Sequence, residues 1–460
     1  MQSSGEFNVR YTTLICSVAA LGGLLFGYDW VVIGGAKPFY EAYFRLQNTY
    51  QIGWANSCAL LGCLVGSILS GALSGRFGRK RLLLLSALIF AVSSLFTGLA
   101  SSFVVFIAWR IVGGIAIGIS ANVSPTYIAE VSPAQWRGRL VSLNQMTIVI
   151  GILGAQIVNW LIADRVPDGS TQAMLRNSWN GQSGWRVMFI AVVVPSLLFL
   201  VSAFFVPESP RWLMARGEEG RAREIFAKIG GVSYAAQTGE QVEAAAEAQV
   251  TGRYSALSPA VRRVLLIGIV LAVLQQWSGI NVLFNYAEEI YREAGYSVSG
   301  ILFNIVITGT INLLFTLVAL RTVDRWGRRT LMLLGCASIA VCHLLIGICY
   351  LFRMHGVPLL VATLLTIGSY AMSLAPVTWV IIAEIFPLRF RAEGVAISVS
   401  ALWVASFLLT FTFPLLNAAL GPAGTFFLYA SVCAAGYVFV FLLVPETKGK
   451  TLEEIELLTG

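Results

Sequence analysis

The sequence predicts an all-α membrane protein, with twelve transmembrane helices in two pseudo-symmetric six-helix bundles and further helices in a cytoplasmic linker. Three observations carry that expectation. Hydrophobic residues make up 57% of the 460 and charged residues 12%, against about 25% charged in an average soluble domain. Uncharged stretches recur, as in Leu82 to Ala108, Leu140 to Ala163, Val187 to Val206 and Val395 to Val444, and each hydrocarbon crossing needs roughly 20 apolar residues. The polar signatures between them occur twice. R-x-G-R-[KR] is Arg76-Phe77-Gly78-Arg79-Lys80 and again Arg325-Trp326-Gly327-Arg328-Arg329. E-x-x-P-x-x-x-R is Glu130, Pro133, Arg137 and again Glu384, Pro387, Arg391. Pro207-Glu208-Ser209-Pro210 is echoed by Pro445-Glu446-Thr447-Lys448. The copies lie 249, 254 and 238 residues apart, in the same order. A duplicated half-molecule in so apolar a chain is the pattern of a membrane transporter.

Taken in order, the spans fall near residues 11–35, 52–74, 82–100, 103–128, 140–163 and 187–206, then 264–290, 299–320, 330–352, 358–383, 394–418 and 424–444. This divides the chain into an N-terminal bundle (1–206), a linker (207–262) and a C-terminal bundle with a short tail (263–460). The first span is too long for a signal-peptide core and reads as retained. In the linker, Glu218 to Ile229 and Gly239 to Val250 are helix-prone runs separated by Gly230-Gly231, read as a mechanical brace. Of 31 basic residues, 23 fall at the termini, in the linker or at the even-to-odd connections. The positive-inside rule then places both termini in the cytoplasm of a cell whose inner or plasma membrane holds the protein.

The charge excess of +8 is therefore a topology signal. It offers no soluble basic face for a nucleic acid. The seven cysteines are scattered in apolar segments without C-x-x-C and read as buried thiols. His343 and His355 form no ligand cluster, and no phosphate-cradling loop, nucleophile elbow or metal box is present. Neither metal nor cofactor is expected, and an enzyme is excluded.

Two charges sit inside spans: Asp29 in the first and Arg110 in the fourth. Each costs roughly 2.5–3.5 kcal/mol near the bilayer centre, so they should pair with each other. A carboxylate that can be neutralised beside such a cation is the minimal proton-coupling device. Polar residues suited to a hydroxylated ligand are Gln145, Gln275, Gln276, Asn281, Asn312, Trp379 and Trp403. Amides match sugar hydroxyls, and an indole gives a flat apolar face with one donor. Ser278-Gly279 can break the seventh helix beside them.

With these residues in view, the chain resembles the sugar porter family of the major facilitator superfamily over essentially its whole length. The motifs that carry the resemblance are G-G-L-L-F-G-Y-D at 22–29, R-x-x-G-G at 110–114 and P-E-S-P-R-W-L at 207–213, with Q-Q-x-x-G-I-N at 275–281 and P-E-T-K-G at 445–449. The resemblance implies a sugar site at the bundle interface made by Gln145, Gln275, Gln276, Asn281, Asn312 and Trp379. It implies that Glu130, Arg137, Glu384 and Arg391, with Arg79 and Arg328, form cytoplasmic salt bridges that hold an outward-facing state. Proton-coupled members carry an acid where this chain has Asp29. The function expected is monosaccharide–proton symport by alternating access, with an uncoupled facilitator or a non-transporting sugar sensor as alternatives. Departures are Gly75 in place of an acid, Asn285-Tyr286 in place of an aromatic pair, Ala371 where some facilitators have glutamate, and Leu402 and Ser406 in place of amides. Asn285 thus joins the expected ligand set.

Overall fold

A computed structural model of the chain describes residues 7–167, 169–250, 259–293, 295–354, 356–386, 390–446 and 448. Among them, eleven continuous helical segments are long and apolar enough to cross a bilayer. The last, Glu393–Leu443, is two helices merged across Gly421, whose φ of 69° is not helical. The crossing helices therefore number twelve, as the hydropathy pattern requires.

The first six are Val9–Phe44, Thr49–Phe77, Arg79–Gly98, Phe103–Val131, Arg137–Ile162 and Asn180–Phe205. The seventh is interrupted, running Pro259–Trp277 and then Ile280–Asn285, with Gly279 in the left-handed region at φ 82°. Val298–Trp326 and Arg328–Leu351 follow. The tenth is also interrupted, as Val357–Met372 and Leu374–Ile385, at Ser373. The eleventh and twelfth lie on either side of Gly421.

The first helix departs from the expected span. It continues nine residues past residue 35 to Phe44 and carries Lys37 and Glu41 with it, because both charges find partners and need not leave the helix. In the linker, Pro210–Ala215 forms a short helix and Glu219–Val250 a longer one broken at Gly231. The Asn8 amide donates to the Ile229 carbonyl at 2.8 Å, and Phe7 packs between Trp136 and Tyr234, tying the start of the chain to the linker.

Small residues set helix spacing. A methyl on Gly27 would meet the Ile148 carbonyl, and one on Gly151 the Leu24 carbonyl. The first and fifth helices therefore touch backbone to backbone, which only glycine permits.

The duplicated motifs build a duplicated structure at one end of the molecule, here called the near end. Gly78 and Gly327 turn the chain at φ 87° and 90°, a conformation that favours glycine, and the third and ninth helices start immediately after. The exposed amides at those starts are taken by the repeated glutamates. Glu208 Oε1 accepts from the Arg79 and Lys80 amides at 2.8 and 3.1 Å. Glu446 accepts from the Arg328 and Arg329 amides at 2.9 and 3.1 Å. A carboxylate at a helix N-terminus satisfies orphan donors and meets the positive end of the helix dipole.

Candidate functional site

Asp29 and Arg110 meet as expected from their cost in an apolar helix. Arg110 Nη1 donates to both carboxylate oxygens at 2.9 Å, and Nη2 reaches the Asp29 carbonyl at 3.4 Å. Both side chains are 3% exposed. The guanidinium also lies 5.4 Å from the centroid of the Phe189 ring, a further favourable contact for a desolvated cation. The pair joins the first and fourth helices inside the first half.

The seventh-helix amides form one chain of hydrogen bonds. Gln275 Nε2 donates to the Leu374 and Ala375 carbonyls, both at 3.3 Å, so it stitches the seventh helix to the break in the tenth. Gln276 Nε2 donates to Gln275 Oε1 at 3.2 Å. Asn281 Nδ2 donates to Gln276 Oε1 at 2.6 Å and to Ser406 Oγ at 3.0 Å. The break at Ser278-Gly279 is itself held: His343 Nε2 donates to the Ser278 carbonyl at 2.7 Å, and the Trp277 indole donates to the Ala405 carbonyl at 3.1 Å. His343 is thereby a structural donor.

Trp403 is 1% exposed, and its ring lies 6.0 Å from those of Phe26 and Trp30, an aromatic contact between the halves. Its indole N–H has no hydrogen-bond partner among the described residues. Gln145 is half-buried on the fifth helix, while Asn312 and Asn285 are buried at 5% and 4% exposure. These three and Trp379 lie outside the amide chain. Trp379 is 37% exposed, while Val377, Thr378 and Ile381 beside it on the tenth helix are fully buried.

The halves meet at the other, far end and at mid-depth. The Val166 amide donates to Ser299 Oγ at 3.1 Å, Trp160 faces Phe303, and Trp54 packs on Phe407 and Phe411. Two ion pairs at the near end each lie inside one half. Arg79 Nη2 binds Glu130 at 2.8 Å, and Arg328 Nη2 lies 3.5 Å from Glu384. Arg137 Nε donates to the Ala129 carbonyl at 3.2 Å. Four of the six residues expected to form salt bridges thus pair here as Arg79–Glu130 and Arg328–Glu384, each within its own half. The Arg391 side chain lies outside the described residues.

Sequence reasoning passed over Ser406 as a partner of Asn281, and over Gln156, a residue 2% exposed with neither amide atom bonded among the described residues. It also missed Lys37. The signal for Lys37 was a lysine directly following Gly34-Gly35-Ala36 at the end of an apolar run.

Residues 15–458 match the family model described as sugar (and other) transporter. The chain is 36% identical over 486 residues to the D-xylose-proton symporter of Escherichia coli (strain K12), covering 98% of this chain and 96% of that protein. It is 35% identical to the arabinose-proton symporter of Bacillus subtilis, covering 98% and 95%. Among solved structures, the partially occluded inward open conformation of the xylose transporter XylE from E. coli matches with a TM-score of 0.85 at 35% identity, covering 96% of this chain and all of the other. The fold is that of the major facilitator superfamily, and the chain belongs to the sugar transporter family.

Proposed function

We propose that the protein imports a monosaccharide (a pentose, a hexose or a related polyol) in symport with protons. The observation that carries the reading is the buried Asp29–Arg110 pair. A carboxylate held by a single cation inside a bundle is charged when paired and can release that cation when a proton arrives. The relatives support it: besides the two above, a galactose-proton symporter of E. coli is 33% identical and a major myo-inositol transporter of B. subtilis 35% identical.

In this reading residues 1–206 and 263–460 are two rocking units, 207–262 braces them, and the near end faces the cytoplasm. The sugar lies between them, hydrogen-bonded by Gln145, Gln275, Gln276, Asn281, Asn285 and Asn312 and flanked by Trp379 and Trp403. Entry of a hydroxyl would take over the Gln276–Asn281 bond, so binding exchanges an internal hydrogen bond for one to the ligand. Closure of the near end would draw Glu130, Arg137, Glu384 and Arg391 into bridges across the halves.

The test is uptake into proteoliposomes across a panel of pentoses, hexoses and inositols, with and without an imposed pH gradient. Gradient-driven accumulation of one sugar is expected. Equilibration without accumulation would replace symport by facilitated transport.

A further inference from the structure

The far end contains a charge network that the proton and sugar sites leave unexplained. Lys37 is 0% exposed. Its ammonium lies 2.5 Å from Glu289 Oε1, 3.6 Å from Glu288 Oε2 and 3.2 Å from Glu41 Oε1. Glu41 is on its own helix, one turn on. Glu288 and Glu289 belong to the other half of the molecule, just beyond the seventh helix. Glu288 is 2% exposed and also binds Arg292 at 2.8 Å. The Tyr286 ring is 5.4 Å from the ammonium. Beneath it the first and seventh helices nearly touch, since a methyl on Gly34 would meet the Phe284 carbonyl.

A buried ammonium without partners is among the costliest groups in a protein interior. While the far end is shut, Lys37 is held by carboxylates of the opposite half. If the halves part there, water enters and each side retains an internal partner: Lys37 keeps Glu41, and Glu288 keeps Arg292. Only Glu289 loses its cation, and it becomes solvated as it does so. Both states are then electrostatically satisfied, and the step between them breaks the two ion pairs that Lys37 makes across the halves, the shorter of them to Glu289. The near end shows the complementary arrangement, with Arg79–Glu130 and Arg328–Glu384 paired within their halves. Among the described residues, ion pairs cross between the halves at the far end, whereas those at the near end lie within a half.

We infer that Lys37 and Glu289 form a latch that holds the far end shut and sets how readily it opens. Lys37 is a positioning residue for transport, acting through the closure it stabilises. The inference rests on the alternating-access reading above but on neither the identity of the sugar nor coupling to protons.

The test is hydrogen–deuterium exchange with mass spectrometry on the purified full-length protein in lipid nanodiscs, without sugar. Glu289→Gln keeps the size and removes the nearer of the two charges that Lys37 meets across the halves. It should shift the balance toward far-end opening by roughly tenfold, as loss of a coupling contact typically does. Exchange should rise in residues 30–44 and 280–293 and fall in residues 126–137 at the near end. Lys37→Arg retains the charge and should exchange as the wild type does. A purely structural role would raise exchange at both ends together, and that result, or unchanged exchange at both, overturns the latch. Should Glu289→Gln fail to yield folded protein, Glu289→Asp, which shortens the reach by one methylene, is read in the same segments against the same two outcomes. No transport is measured, so failure of the symport reading leaves this result interpretable.

Discussion

Asp29→Asn separates coupling from binding. The substitution keeps the shape of the side chain and one acceptor oxygen facing Arg110, but removes the negative charge. Arg110 is 3% exposed and keeps the Asp29 carbonyl at 3.4 Å and the Phe189 ring. Removing one partner of a buried ion pair costs about 3–5 kcal/mol, and the surviving carbonyl and ring contacts offset about 1–2 kcal/mol of that. A destabilisation of about 1–4 kcal/mol is therefore expected, enough to see in thermal unfolding without abolishing the fold. The transport effect is larger. The membrane potential supplies about 2.3 kcal/mol per charge per 100 mV, and at 1.36 kcal/mol per decade this permits roughly 50-fold accumulation from the electrical driving force alone. With a permanently neutral residue at position 29, no proton is carried and the ratio should fall to about one. The assay sets sugar counterflow beside gradient-driven uptake in the same vesicles. Counterflow should persist while accumulation is lost. The double variant Asp29→Asn with Arg110→Gln should recover part of the lost stability, since it leaves no unpaired cation, yet it should not recover accumulation. Tens-fold accumulation in Asp29→Asn would falsify the assignment of the transported proton to this carboxylate.

Three further outcomes follow from named contacts. Glu208→Ala leaves the Arg79 and Lys80 amides uncapped, and Glu446→Ala does the same to Arg328 and Arg329. Each should cost about 1–2 kcal/mol in thermal unfolding, with Glu208→Gln falling between, and an unchanged melting temperature would dismiss the capping role. Gln276→Ala removes two hydrogen bonds of the amide chain and should weaken sugar binding about tenfold, with the folded state preserved; equal affinity measured by titration calorimetry would move the sugar elsewhere. Gly27→Val forces a branched side chain against the Ile148 carbonyl and should eliminate the monodisperse peak in size-exclusion chromatography, so a well-behaved variant would show that the first and fifth helices can separate there.

Features that one half must solve alone were readable from the sequence. Twelve spans follow from hydrocarbon thickness, and the Asp29–Arg110 pair follows because neither charge survives unpaired in an apolar helix. Lys37 escaped for the opposite reason. A hydropathy window stops at a lysine, and the partner that lets the helix continue, Glu289, lies 252 residues away. Glu208 and Glu446 were visible as an echo but not as caps, because a cap exists only once Gly78 and Gly327 have turned a helix start toward them. The near-end charges teach a different lesson. Glu130 binds Arg79 in its own half here, and in the proposed cycle it would exchange that partner for a cation of the other half, as Glu384 would by duplication. A sequence holds both pairings at once, whereas a conformation displays one. Here the displayed pairing is internal at the near end, while Lys37 bridges the halves at the far end. States exchanged in a working cycle differ by a few kcal/mol, about the worth of a handful of such contacts. In the proposed cycle the same motif pairs would serve two arrangements of similar stability, and moving between the two is what alternating access requires.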